Sequence, residues 1–216
     1  MKKLLTLALI CLTLSVMSQS KLEFGLTTEG SWFMPGETYD YYLATNKNGF
    51  STGIGVYASQ KIYRGLSADI GLSYRYAQMQ YRYTIYSGAG GYTEYPLSNS
   101  DQEFVSTTGW DKFNMNYLVV PVHLQLLLTK SYFVRGGIEA AWLTKYEAVN
   151  EKPEYNWTVG IGSQKHKLNW SVNYIRGLKD QGFGFRKMET DGHYKGAIYR
   201  NNMIQLSLAY PLWQLK

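Results

Sequence analysis

A chain of 216 residues with a formal net charge of +6 is long enough for one domain and marginal for two. Its 22 basic residues are scattered rather than clustered, which excludes a dedicated nucleic-acid surface. One cysteine excludes a disulfide framework, whereas 20 tyrosines and 6 tryptophans mark a protein rich in aromatics with a polar tip, the kind that gather where one end is buried and the other wet.

The chain opens with Met1-Lys2-Lys3, an apolar run from Leu4 to Val16 and a small residue at Ser18. A positive start, a brief hydrophobic stretch and a small residue read as a secretory signal peptide, cut after Ser18 to leave residues 19–216 as one domain. The run is too short for a membrane-spanning helix. A lipoprotein reading of Cys11 fails at Ile10, which stands where the lipoprotein peptidase needs a small residue. Loss of the leader removes Lys2, Lys3 and the only cysteine, leaving 20 basic residues against 16 acidic.

From there the pattern is β throughout, with period-two alternation recurring and no sustained helical spacing. The first strand, about 22–33, sets Leu22, Phe24, Leu26 and Trp32 against Glu23, Gly25, Thr27 and Glu29. The second, about 50–60, sets Phe50, Ile54, Val56 and Ala58 against Gly53, Gly55 and Ser59. A third starts at Leu66 and runs towards Tyr81, with Ile70, Leu72 and Tyr74 opposite Asp69, Gly71, Ser73 and Arg75. The fourth, about 116–128, sets Leu118, Val120, Val122, Leu124 and Leu126 against His123 and Gln125. The fifth, about 131–146, sets Tyr132, Val134, Ile138 and Trp142 against Arg135, Gly137, Glu139 and Lys145. The sixth opposes Tyr155, Trp157, Val159 and Ile161 to Asn156, Thr158, Gly160 and Gly162. The seventh opposes Leu168, Trp170, Val172 and Tyr174 to Asn169, Ser171 and Asn173, and the eighth opposes Ile204, Leu206, Leu208, Tyr210 and Leu212 to Gln205, Ser207 and Ala209.

Connections alternate between short (61–65, 129–130, 164–167) and longer (34–49, 84–114, 147–154, 179–201). Short turns at one end and long loops at the other are the pattern of outer-membrane barrels, with the long loops outside the cell. A soluble barrel alternates too, with its apolar face inward. Volume separates the two. Inside a narrow eight-stranded barrel side chains converge, and here the polar face is also the small one, rich in glycine, serine and threonine. The bulky Leu, Ile, Trp and Tyr side chains belong outside, against lipid. The expected fold is therefore an eight-stranded antiparallel up-and-down transmembrane β-barrel, which satisfies every backbone group because it has no edge.

Pro121 breaks the fourth strand's pattern, since proline removes a ladder donor and is tolerated at a bulge or where the ladder is already interrupted. It also lies in the segment Tyr117-Leu118-Val119-Val120-Pro121-Val122-His123-Leu124-Gln125-Leu126, which resembles the tyrosine–leucine–x–isoleucine–proline–leucine strand of the PorT-like outer-membrane barrel proteins of the Bacteroidota. Ala68-Asp69-Ile70-Gly71-Leu72-Ser73-Tyr74 and Tyr132-Phe133-Val134-Arg135-Gly136-Gly137 resemble the strands flanking it in that family. Two positions depart from the family pattern: Val119 stands where an acidic residue is common, and the chain ends Trp213-Gln214-Leu215-Lys216 rather than on an aromatic. The resemblance implies an eight-stranded barrel, for most members without an assigned activity, and for a few relatives a part in protein secretion across the outer membrane.

The inward polar set is Glu23, Glu29, Asp69, Arg75, His123, Arg135, Glu139 and Lys145. Both charge signs are present, so it reads as a mutually paired plug that fills the lumen, with Arg135 holding Glu139 or another acid. The alternative is a selectivity ring along a narrow pore. An envelope-lipid hydrolase would need His123 near the lipid headgroups, and its place on the lumen face argues against that. His166 and His193 read as solvated loop residues, and no spacing resembles a transition-metal site. Asp191-Gly192 and Gly88-Ala89-Gly90-Gly91 are turn chemistry before phosphate cradles. Tyr39, Tyr41, Tyr42, Tyr92, Tyr95 and Trp110 fall in the outer loops, as packing or as a binding surface for a protein or glycan.

The expectation is a non-enzymatic outer-membrane protein without a cofactor, a membrane scaffold or surface interaction module with a filled lumen. Its partners are outer-membrane lipid, the barrel-assembly machinery during biogenesis, and a protein or glycan at the outer loops, with no nucleic acid. The alternative is an accessory component of a secretion or surface-assembly machine.

Overall fold

Alternating bulky apolar and small or polar residues give each strand one face for lipid and one for an interior, and register follows from keeping those faces aligned. The computed structural model describes residues 22–35, 44–88, 102–107, 111–144, 153–164, 167–179, 181–183 and 197–215. Among these residues lie β1 (Leu22–Phe33), β2 (Ala44–Tyr63), β3 (Leu66–Gly88), β4 (Gln102–Thr107), β5 (Asp111–Leu127), β6 (Tyr132–Leu143), β7 (Glu154–Ser163), β8 (Asn169–Gly177), β9 (Gln181–Phe183), β10 (Ala197–Tyr199) and β11 (Asn202–Leu215). β1 pairs antiparallel with β2 on one side and β11 on the other. The ring β1-β2-β3-β5-β6-β7-β8-β11 therefore closes with eight strands, as the alternation predicts.

The turn end is built by local chemistry. Arg64-Gly65 joins β2 to β3, and Gly65 takes a φ of 78°, which glycine adopts without the Cβ penalty other residues meet. Thr129 Oγ1 accepts from the backbone N–H of Tyr132 at 3.0 Å and so holds the β5–β6 turn. Adjacent hairpins are tied together by Leu127 N–H to Gly65 O (2.7 Å) and Gln164 N–H to Ser131 O (2.8 Å). Residues 165–166 of the third expected turn lie outside the described residues.

Two expectations about the opposite end need correction. The loop expected over 84–114 contains the end of β3, all of β4 and the start of β5, and that over 179–201 contains the short pair β9–β10. β2 and β3 run for 20 and 23 residues, against 9 to 14 for β1, β6, β7, β8 and β11. A tilted strand crosses a bilayer in about 9–11 residues. One side of the wall (β2, β3 and β5) therefore stands well above the rest at the loop end. The expected fifth strand, 131–146, ends at Leu143.

Pro121 sits where the ladder is interrupted. β3 and β5 pair at Ile70↔Val122 and again at Ser73↔Val119, with the two pairs between them missing and the register unchanged. On its other side Pro121 stays paired with Glu139 of β6. Gly71 faces the ring, and a Cβ there would stand 3.1 Å from Pro121 Cγ. A bulge opposite Phe24 and Gly25 lets β11 skip one residue, so Leu212 and Trp213 both stay exposed while Gln214 turns to Glu23 at the turn-end opening of the lumen.

The outside is apolar and bare. Ile54, Ile138 and Ile161, on β2, β6 and β7, are 64%, 58% and 61% exposed. Tyr132 and Trp213 mark its turn-end rim, and Trp32 and Tyr155 its loop-end rim. A continuous band of this kind, flanked by aromatics, is what a membrane-spanning barrel shows to lipid.

Candidate functional site in the barrel lumen

Stagger between strands brings together inward residues that lie far apart in sequence. At mid-depth Arg75 of β3 donates from Nε to Glu29 Oε1 of β1 at 2.5 Å, and from Nη1 and Nη2 to Glu139 Oε1 and Oε2 of β6 at 2.8 and 3.0 Å. The side chains of Arg75, Glu29 and Glu139 are 3%, 8% and 2% exposed. One guanidinium between two carboxylates leaves a net negative charge, which neutral amides share: Gln205 Nε2 donates to Glu29 Oε2 (2.7 Å) and Asn156 Nδ2 to Glu139 Oε1 (2.9 Å). The planar guanidinium suits this two-sided, partly bidentate grip, which an ammonium could not reproduce. Gly53 faces Glu29 across the β1–β2 ladder, and a Cβ there would collide with the glutamate side chain.

Above this cluster, towards the loop end, apolar side chains pack around a few buried polar ones, among them Glu154, which accepts from Tyr117 OH and Asn201 Nδ2. Phe33, Met79, Met115, Val119, Ile175 and Met203 are each at most 2% exposed and form one contiguous core inside the barrel. Met203 Sδ accepts from Ser51 Oγ at 3.5 Å, and Met115 Sδ from Tyr117 OH at 3.2 Å. Flexible thioethers fill an irregular tapering space well. The expected plug of charges is therefore continued towards the loop end by apolar packing. Val119 belongs to this apolar packing.

Below the cluster, towards the turns, lies a cavity of about 620 Å³ that reaches the turn end at Lys61, Gly65 and Lys167. Glu23 lines it and accepts from Tyr57 OH and Gln214 Nε2, both at 2.9 Å. Asp69 faces Ser59 across the β2–β3 ladder. Arg135 Nε donates to Asn173 Oδ1 at 2.6 Å, and Asn173 Nδ2 donates to Gln205 Oε1 at 3.1 Å, so it connects to Glu29 through amides. Gln125 Nε2 donates to Gln164 Oε1 at 3.2 Å.

The expected plug is thus corrected in two ways. Mutual ion pairing joins Glu29, Arg75 and Glu139, whereas Glu23 is held by neutral donors and Arg135 by Asn173 rather than by Glu139. The turn half is hollow rather than filled, because glycines, serines and short amides leave space the charged side chains do not reach. Tyr57 was legible as an inward residue between Val56 and Ala58, but a tyrosine on the small face draws attention only once its hydroxyl is seen on Glu23. The roles of Asn156, Asn173 and Gln205 depend on cross-barrel stagger, which no single strand encodes.

His123 pairs in register with Asp69 and Gly137, and a Cβ on Gly137 would stand 2.8 Å from its Cδ2. Its imidazole lines the cavity, on the far side of the wall from lipid headgroups. Among the described residues no three His, Cys, Asp or Glu side chains are placed to hold a metal ion. Lys145, His166, His193, Asp191-Gly192, Ala89-Gly90-Gly91 and the loop aromatics Tyr39, Tyr41, Tyr42, Tyr92, Tyr95 and Trp110 lie outside the described residues.

No protein-family model matches the chain, and no curated protein does. Among solved structures, the chain is similar to the Yersinia pestis outer membrane protein Ail, at 11% identity over 87% of this chain and 99% of that one, with a TM-score of 0.34. It is also similar to the outer membrane protease OmpT of Escherichia coli, at 9% identity over 89% and 96% of the two chains, with a TM-score of 0.37. A Pseudomonas aeruginosa FadL homologue follows at 8% identity, 88% and 89% coverage and a TM-score of 0.29. Likeness at this level transfers no residue role.

Proposed function

We propose that this chain is a non-enzymatic barrel of a bacterial outer membrane, a scaffold that presents its loop end to the cell exterior and passes no bulk solute. One observation carries the reading: an apolar core and a buried ion-pair cluster occupy the lumen of a ring whose outside is bare hydrocarbon. Short turns sit at the end where β1 starts and β11 stops, which in such barrels is the periplasmic side. The tall wall of β2, β3 and β5 then stands outside the cell, a surface for a protein or glycan partner. Lipid contacts the belt, and the barrel-assembly machinery inserts the chain after export.

Two measurements test this. The protein fractionates with the outer membrane and changes mobility on gels when heated, whereas a soluble periplasmic product that needs no detergent contradicts the membrane reading. Reconstituted in planar bilayers it shows no large stable channel. Reproducible conductance of the size seen in wide porins overturns the closed lumen.

The second reading is an accessory subunit of a secretion or surface-assembly machine, favoured by the resemblance of Tyr117–Leu126 and its flanking strands to PorT-like proteins. A stoichiometric partner recovered from solubilised envelope supports this reading. Recovery of the barrel alone supports the scaffold.

A further inference from the structure

The cavity in the turn half is asymmetric in what it leaves unused. Three of its acids are engaged, Glu29 and Glu139 by Arg75 and Glu23 by Tyr57 and Gln214, and Asp69 lies beside Ser59. Among the described residues its remaining cations form no close ion pair. Arg135 spends Nε on Asn173, and among the described residues its Nη1 and Nη2 find no hydrogen-bond or ion-pair partner. At the mouth, Lys61 and Lys167 line the same cavity and are exposed. A guanidinium with a free two-nitrogen edge is shaped for a pair of anionic oxygens. Lysines at the entrance of a low-dielectric cleft raise the local concentration of anions.

We propose that the turn-half cavity is a blind binding site for a small oxyanion, a carboxylate or a phosphate, which enters past Lys61 and Lys167 and is gripped by the free edge of Arg135. Its volume of about 620 Å³ suits a small organic molecule. The cavity ends at the Glu29–Arg75–Glu139 cluster, beyond which the lumen is packed, so the ligand leaves by the way it came. Nearby Asp69 favours ligands that carry a donor beside the anionic group, since a donor can turn towards it.

The test uses the chain refolded into detergent micelles, so that its outcome does not depend on which membrane hosts the barrel. Inorganic phosphate and succinate are titrated separately while the side-chain Nε–Hε resonance of Arg135 is followed, with calorimetry in parallel. A saturable shift with either probe is the expected result, and the tighter of the two names the ligand class. Arg135→Gln keeps a donor for Asn173 but loses the free edge, and weakens binding about tenfold or more. Lys61→Gln with Lys167→Gln, on the exposed rim, weakens it a few-fold at low salt, with the difference vanishing as salt screens the mouth. The absence of a saturable response to both probes overturns the proposal, as does wild-type affinity in Arg135→Gln. Should Arg135→Gln fail to fold, the rim variant decides: unchanged affinity at low salt overturns the proposed entry route.

Discussion

Arg75→Met lowers the unfolding free energy of the refolded barrel by about 3–5 kcal/mol, the cost of leaving buried carboxylates without their cation. Glu29 and Glu139 are 8% and 2% exposed and share this one guanidinium, so both lose their cation when it goes. The triple change Glu29→Gln, Arg75→Met and Glu139→Gln recovers most of the loss, because uncharged amides can still accept from Gln205 and Asn156. Arg135→Leu costs less, about 1.5–3 kcal/mol, since it removes one charge-assisted hydrogen bond to Asn173 and leaves the Glu139 pair intact. Denaturant midpoints in micelles give the ranking. An Arg75→Met barrel within about 0.5 kcal/mol of wild type shows that the cluster is solvated and the lumen account is wrong.

Leu124→Arg is expected to fail in lipid where Gln125→Leu succeeds. Leu124 is 55% exposed and points outward. It lies at mid-depth on β5, between the level of Trp142, which pairs with Leu118, and the turn-end level of Phe133, which pairs with Leu127. An arginine there meets hydrocarbon, at a cost of about 2–4 kcal/mol in barrels of this type. Ile138→Arg, equally outward on β6, repeats the result. Gln125→Leu gives up one amide hydrogen bond to Gln164 at the cavity wall, a loss of about 1 kcal/mol. Refolding into vesicles, followed by the heat-modifiable band, separates the two. Normal folding of Leu124→Arg with failure of Gln125→Leu reverses the faces and makes a soluble barrel the better model.

The outer face was legible because lipid imposes one requirement at every outward position, so Leu26, Ile54, Ile70, Val122, Ile138, Val159, Val172 and Leu206 repeat a single message along all eight strands. The lumen was only partly legible. An interior accepts whatever packs, and around 115–119 Met115, Tyr117 and Val119 on one face meet Leu118 and Val120 on the other, so alternation there does not separate wall from core. Charges could be assigned to the inside but not to partners. Arg75 meets Glu139 two strands away and Glu29 two strands the other way, a consequence of stagger around a closed ring. The strands inside the expected long loops were missed for a different reason: β9 and β10 are three residues each, too short for a period of two to show, and β4 lies among serines, threonines and glycines that read as turn.

Lipid-facing alternation is the claim on which the rest stands, and one scan tests it directly. The chain offers no cysteine after Cys11, so single cysteines at 204, 205, 206, 207 and 208 of β11 can each carry a nitroxide in the vesicle-embedded barrel. Ile204 and Leu206 are 48% and 49% exposed, against 4% and 7% for Gln205 and Ser207. Collision rates with oxygen, which concentrates in the bilayer, should peak at 204, 206 and 208 and fall at 205 and 207. Flat rates, or peaks at 205 and 207, contradict a barrel whose apolar face meets lipid.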